Sequence, residues 1–277
     1  NSVGELREYV DAFYGNPRVF GGFIWDFIDQ GLRNPDNPKY FKFGGLWGDK
    51  PNDDNFCANG LVLPDRTLQP EMWEVKYQYR NIVARAKDVA KGVVEIENRF
   101  DFVNIKDYVT AEWKLLEDGK VVASGKLSGS DIDVAPLAKK EITVPFKKPD
   151  LKSGSEYYLD LDFQLKDKKE WADAGFSISH EQFAIQFGQN AIPQVDFSSL
   201  PKQKHSEGAG KVEIEGNDFY VSINTENATI ENYKLNGVQL IQQGAVPNFW
   251  RAPTDNDKGY NMEGKMGVWR KAGANRK

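Results

Sequence analysis

The hydrophobic period changes once along this chain, near residue 83, and that change limits what it can fold into. Before it, apolar residues recur at helical spacing or in one continuous run. After it they alternate, as in Ala111/Trp113/Leu115, Ile142/Val144/Phe146 and Tyr157/Leu159/Leu161/Phe163/Leu165. A period of 3.6 lays an apolar stripe along a helix, whereas a period of two puts every second side chain of a strand on one face. Separate blocks of each period make the chain multidomain, and the longer alternating block makes it mainly β.

In the first block, Ser2 to Glu5 has capping-box spacing. A helix is expected from there, with Leu6, Val10 and Phe13 on one face and Gly15-Asn16-Pro17 as a left-handed stop. Val19–Trp25 is apolar on both alternating faces, as in a parallel-sheet strand buried between helices. That strand would deliver Asp26, Asp29 and Gln30 into a long polar loop over 31–68, before Pro70 opens a helix with Met72, Val75, Tyr79 and Ile82 on one face. Residues 83–188 read as short strands without helices. Turns at Asp118-Gly119 and Lys152-Ser153-Gly154 and a last alternation Phe183/Ile185/Phe187 fit an immunoglobulin-like β-sandwich. Residues 189–210, with Pro193, Pro201, Gly208 and Gly210, read as a linker. From Lys211 a β meander begins, through Val212/Ile214, Phe219/Val221/Ile223 and the Asn236-Gly237 turn, with too few strands for a closed sandwich.

Charge and cysteine usage narrow the chemistry. A net charge of −5 gives no positive field for nucleic acid or anionic lipid, so neither is an expected partner. No apolar run approaches the ~18–20 residues of a membrane-spanning helix. Cys57 stands alone, and His180 and His205 are the only histidines, so a thiolate cluster and a multi-histidine zinc site are not expected within the chain. What remains is carboxylates, amides and aromatic rings, the last able to stack on the C–H face of a sugar.

Functional groups on α/β sheets collect at the C-terminal ends of strands, which points to residues 25–60. The stretch Gly48–Gly60 is dense in side-chain and carbonyl oxygens but lacks the spacing of an EF-hand, so a solvated loop and a ligand loop both fit. Trp25 reads equally as core or as an exposed ring. Asp26 and Asp29 read as caps or as ion-pair partners of Arg33, His180 as a structural histidine, His205 as a solvated one, and Cys57 as a small apolar residue. The chain opens on Asn, its first methionine is Met72, and it is expected to be part of a longer polypeptide.

Longer motifs add a resemblance. Gly21-Gly22-Phe23-Ile24-Trp25-Asp26-Phe27-Ile28-Asp29-Gln30, Pro51-Asn52-Asp53, Phe56-Cys57-Ala58-Asn59-Gly60-Leu61-Val62 and Pro64-Asp65-Arg66-Thr67 are similar to the β-galactosidases of glycoside hydrolase family 2. So are Ala174–Gln182 and Asn248–Asp257. Gly44-Gly45-Leu46-Trp47-Gly48-Asp49 departs from the family's usual Gly-Gly-Asp-Phe-Gly-Asp. The resemblance implies the closing helix-strand-helix of a (β/α)8 TIM barrel over 1–82, an immunoglobulin-like domain over 83–188, and an incomplete galactose-mutarotase-like β-sandwich over 211–277. It implies Trp25 and Asn59 as substrate-binding residues. Phe56, through its carbonyl, and Asn59 are implied as sodium ligands, and Asn52 as a neighbour of magnesium.

Retaining hydrolysis of terminal β-D-galactosides, the activity implied, uses two glutamates that would both lie upstream of Asn1. The chain alone is then expected to be inactive, with a β-galactoside, the N-terminal part of the same protein and further copies of itself as partners. The competing reading is a non-catalytic carbohydrate-binding or scaffold module, for which residues 1–82 would have no use. β-Glucuronidases and β-mannosidases share the architecture, and the Asn52–Val62 motif favours galactosidase. Phe20, Phe23 and Ile24 are expected to pack on the sandwich, to pack on another chain, or to be poorly ordered.

Overall fold

The computed structural model describes residues 3–54, 56–188, 194–246 and 248–273. They form two compact units, one within 1–193 and one within 194–277.

The first unit opens with helix α1, Leu6–Gly15, which buries Val10. Its start differs from the capping-box expectation. Glu5 itself occupies the N-cap with φ 64°, after a turn closed by Leu6 N–H donating to the Val3 carbonyl, so it is not free to serve as the third helical residue of a box. Ser2 lies outside the described residues. The helix end differs too, since Gly15 stays helical and Asn16 is extended at φ −128°. The pyrrolidine ring of Pro17 disfavours other conformations in the residue before it.

Val19–Trp25 forms no strand, because no described strand pairs with it; among the described residues its one backbone bond runs from Val19 N–H to the Asn16 carbonyl at 2.9 Å. Phe20 and Phe23 are fully exposed, at 107% and 104%, so of the expected alternatives packing on the sandwich is the one not met. Parallel pairing appears a few residues later, as a bridge between Ile28 and Val62. The loop that follows holds a small hairpin, β1 Leu32–Arg33 with β2 Phe41–Lys42. Helix α2, Glu71–Gln78, starts after Pro70 and buries Val75. Tyr79 closes the helix rather than extending its face, and Ile82 begins the next strand.

Seven strands make the sandwich: β3 Ile82–Asp88, β4 Val93–Asn98, β5 Val109–Glu117, β6 Lys120–Lys126, β7 Lys139–Thr143, β8 Tyr157–Leu165 and β9 Ser177–Ile185. They form antiparallel sheets in the order β3-β4-β7 and β6-β5-β8-β9. The alternation read from sequence is the burial pattern: Ala111, Trp113, Leu115, Leu159, Leu161 and Phe163 all join the core between the sheets. Two helical turns interrupt the all-strand reading, a 3-10 turn over Val89–Lys91 and α3 Ile105–Tyr108. The Asn104 carboxamide caps α3 by accepting from Lys106 N–H.

The second unit is a five-stranded antiparallel meander in chain order: β10 Lys204–Gly208, β11 Lys211–Glu215, β12 Phe219–Asn224, β13 Thr229–Leu235 and β14 Val238–Ile241. It starts earlier than the linker reading allowed. Ala209 and Gly210, at φ 54° and 74°, form a hairpin turn between β10 and β11, and glycine composition alone does not separate such a turn from a linker. Pro193 and residues 189–192 lie outside the described residues. Two helices, α4 Asp255–Gly259 and α5 Met262–Gly273, follow the meander. Thr254 and Asp257 make the capping box that starts α4, a signal present in the sequence that the strand reading passed over.

Candidate functional site

Backbone pairing between residues 26–29 and 59–62 assembles the site. Asp26 N–H donates to the Asn59 carbonyl at 3.3 Å, and the Asp26 and Phe27 carbonyls each accept at 3.1 Å, from Leu61 and Val62. Asp29 N–H donates to the Val62 carbonyl at 2.9 Å. This ladder brings Trp25, Asp26 and Asn59 together. The Trp25 ring is 71% exposed. Behind it, Asp26 Oδ2 accepts from Gln30 Nε2 at 2.7 Å, while Asp26 Oδ1 is buried with no partner. Asn59 Nδ2 is likewise buried with no partner. A buried polar atom left unpaired costs about 1–3 kcal/mol, so an orphaned acceptor and an orphaned donor on two residues joined by a backbone hydrogen bond suit a group that both gives and takes hydrogen bonds, as a hydroxyl does.

Asp29 is 7% exposed, and its carboxylate is engaged elsewhere. Its Oδ1 accepts from Gly60 N–H at 2.6 Å and its Oδ2 from Gln69 Nε2 at 3.4 Å. Neither aspartate pairs with Arg33, which instead reaches Asp65 at 3.3 Å and the Pro38 carbonyl at 2.6 Å. Two hydrogen bonds from Thr67, together with Arg33, outweigh desolvation and hold the Asp65 carboxyl below the usual range. Asp29, Gly60 and Gln69 are the residues that the sequence reading undervalued. Their signal was Gly60 itself, where a Cβ would stand 2.2 Å from Asp29 N and 2.6 Å from the Ile28 carbonyl carbon.

Asn52 belongs to a different cluster. Its Oδ1 accepts from Asp54 N–H at 3.1 Å and its Nδ2 donates to the Asp49 carbonyl at 2.9 Å, while the Asp49 carboxylate receives Gly45 N–H. Phe56 is exposed and its N–H donates to the Asp53 carbonyl at 2.9 Å. As cation ligands, the Phe56 carbonyl and the Asn59 and Asn52 amide oxygens are of the right kind for hard ions, which take oxygen donors. They are single oxygens, and no group of three acidic, histidine or cysteine side chains stands together among the described residues. His180 lies exposed on β9 with its ring 5.7 Å from that of Tyr77, and His205, on β10 rather than in a linker, meets Glu207 at 2.9 Å.

Three family models match in succession: the TIM barrel domain of glycosyl hydrolases family 2 over residues 1–84, β-galactosidase domain 4 over 94–186, and the β-galactosidase small chain over 215–277. Proteins named β-galactosidase from Priestia megaterium and Psychromonas ingrahamii are 33% and 35% identical over 275 and 267 residues, or 98% and 94% of this chain. A third, from Pseudoalteromonas haloplanktis, is 33% identical over 271 residues. The chain belongs to the glycoside hydrolases of family 2, and within them to the β-galactosidase group. It spans about a quarter of the length of these curated relatives.

Proposed function

We propose that this chain forms the sugar-facing edge and the supporting sandwich of a retaining β-galactosidase that hydrolyses terminal β-D-galactosides. The observation that carries the reading is the exposed Trp25 next to Asp26, whose backbone bonds to Asn59, together with the unpartnered Asp26 Oδ1 and Asn59 Nδ2. An aromatic face beside a buried donor and acceptor supports recognition of a pyranose, by stacking on its C–H face and by bonding its hydroxyls. Sodium held by the Phe56 carbonyl and Asn59, and magnesium near Asn52, would add fixed positive charge that orients hydroxyl oxygens.

Retention needs two carboxyl groups about 5 Å apart across the scissile bond. Asp26 is tied to Gln30, and Asp29 to Gly60 and Gln69, so neither supplies such a pair. In this reading both catalytic glutamates come from the part of the enzyme that corresponds to the remaining three quarters of the relatives, and the active form is an oligomer of the complete polypeptide.

The test is release of a chromophore from an aryl β-galactoside. The purified chain is expected to give no turnover, and mixing it with the upstream portion is expected to restore it. In the restored enzyme, Trp25→Ala and Asn59→Ala each lower kcat/KM by about tenfold or more, equivalent to ~1.4 kcal/mol of lost transition-state stabilisation. Turnover by the chain alone, abolished by Asp26→Asn, would overturn the assignment. Saccharide binding by the chain with no gain on mixing would favour a carbohydrate-binding module instead.

A further inference from the structure

Gly60 is held on both of its backbone polar groups by side chains. Asp29 Oδ1 takes its N–H at 2.6 Å, and Gln69 Nε2 donates to its carbonyl at 2.8 Å while also reaching Asp29 Oδ2 at 3.4 Å. The residues on either side, Asn59 and Leu61, are both bonded to the backbone of Asp26. The contact leaves no room for a side chain, since a Cβ at residue 60 would overlap the backbone of residues 28 and 29. Glycine has the widest backbone freedom of any residue, so a glycine directly after Asn59 would let that amide swing unless its own peptide groups were fixed.

We propose that Asp29 is a positioning residue which, with Gln69, locks Gly60 and thereby aims the Asn59 carboxamide at the space beside Trp25. The inference rests on the sugar-site reading above and deepens it. Asp29 touches no substrate in this arrangement and acts only through Gly60 and Asn59. A merely structural Asp29 would instead lower stability and leave the behaviour of Asn59 unchanged.

The test is a double-mutant cycle on the full-length polypeptide that contains this chain, with an aryl β-galactoside as substrate and the melting temperature measured alongside. Asp29→Asn places an amide N–H₂ against Gln69 Nε2 or Gly60 N–H, two donors facing one another. It is expected to lower kcat/KM by about 10- to 100-fold, with KM rising, as for Asn59→Ala. In the Asn59→Ala background the same change is expected to cost less than about threefold, because the group it aims is already gone. Additive losses, or an Asp29→Asn enzyme with unchanged kcat/KM, overturn the proposal. If Asp29→Asn does not fold, Gln69→Met, which keeps the Asp29–Gly60 bond and removes only the bridge, is put through the same cycle. A few-fold loss that vanishes in the Asn59→Ala background supports the lock, and an additive or absent loss overturns it. An Asn59→Ala enzyme with normal kcat/KM overturns the sugar-site reading and the lock together, which separates the two failures.

Discussion

Asn98, at the end of β4, is 1% exposed and uses its whole carboxamide inside the sandwich. Nδ2 donates to the carbonyls of Val103 and Val134, both at 2.9 Å, and Oδ1 accepts from Phe100 N–H at 2.9 Å. It pins two chain crossings, 99–104 and 127–138, to one sheet. Asn98→Leu would strand the Val103 carbonyl and the Phe100 N–H away from water, while the Val134 carbonyl keeps the Ile105 N–H at 3.2 Å. At ~1–3 kcal/mol for each unpaired group, a loss of about 2 kcal/mol or more is expected in urea unfolding followed by Trp113 fluorescence. No pattern in the sequence marks this asparagine, because its neighbours in space are five and 36 residues away. Trp25 and Asn59 are proposed for the sugar site on a different ground: they sit inside contiguous motifs, whereas spacing alone left Trp25 between core and surface. Asp29 had the motif too, but its role depends on how closely Gly60 approaches, which only three-dimensional contact reveals.

Helix α2 is fastened to β9 by one buried cluster. Arg80 donates to Glu181 through two guanidinium nitrogens, Nε at 3.0 Å, and Tyr77 hydroxyl donates to the other carboxylate oxygen at 2.8 Å. Both charged side chains are almost fully buried, at 8% and 7% exposure. Burial first, and the Glu181 carboxylate second, push the Tyr77 phenol above its ordinary pKa. Arg80→Ala leaves Glu181 charged and unpaired, an expected loss of about 3–5 kcal/mol, whereas Arg80→Met with Glu181→Leu should recover most of it. Chemical denaturation of the single and double variants checks this. On the other sheet Glu97 meets Arg85 at 2.7 Å and Arg99 and Lys139 at 3.4 Å each. Desolvation alone would raise its carboxyl, but the three cations outweigh it and hold the pKa below the ordinary glutamate value. The sign follows: this stabilisation is present in full above the unfolded pKa, about 4.3, and is lost as pH falls through the lower folded one. Glu97→Gln should therefore flatten the acid limb of stability against pH, read by urea midpoints from pH 6 downward. Strands β3 to β9 were legible because alternation records which face is dry. Val19–Trp25 was not, because an apolar run records a preference for burial and names no partner.

At the scale of the molecule, the succession of barrel end, sandwich and meander follows the single change of period and the motifs on either side of it. The α4 and α5 helices fell outside that logic, since their start is a local capping signal in a region read for strands. Fully exposed aromatic rings in a polar chain favour association with other apolar surface. Phe20→Ser with Phe23→Ser is expected to lower binding of a hydrophobic dye while shifting the melting temperature by less than about 2 °C, because neither ring belongs to the core; differential scanning fluorimetry against an intrinsic-fluorescence melt separates the two effects. The unpaired run that bears these rings also sets a clock. Amides of residues 20–25 find no acceptor among the described residues, whereas those of 159–163 lie in a strand flanked on both sides by β5 and β9. In deuterated buffer the first group should be fully labelled at the earliest time point and the second only when the whole sandwich opens. Isotope uptake along this one polypeptide therefore runs from the free-peptide limit to the global unfolding limit within unit 1–193, and any partner that completes the missing pairing would be seen as slowed labelling at residues 20–25 alone.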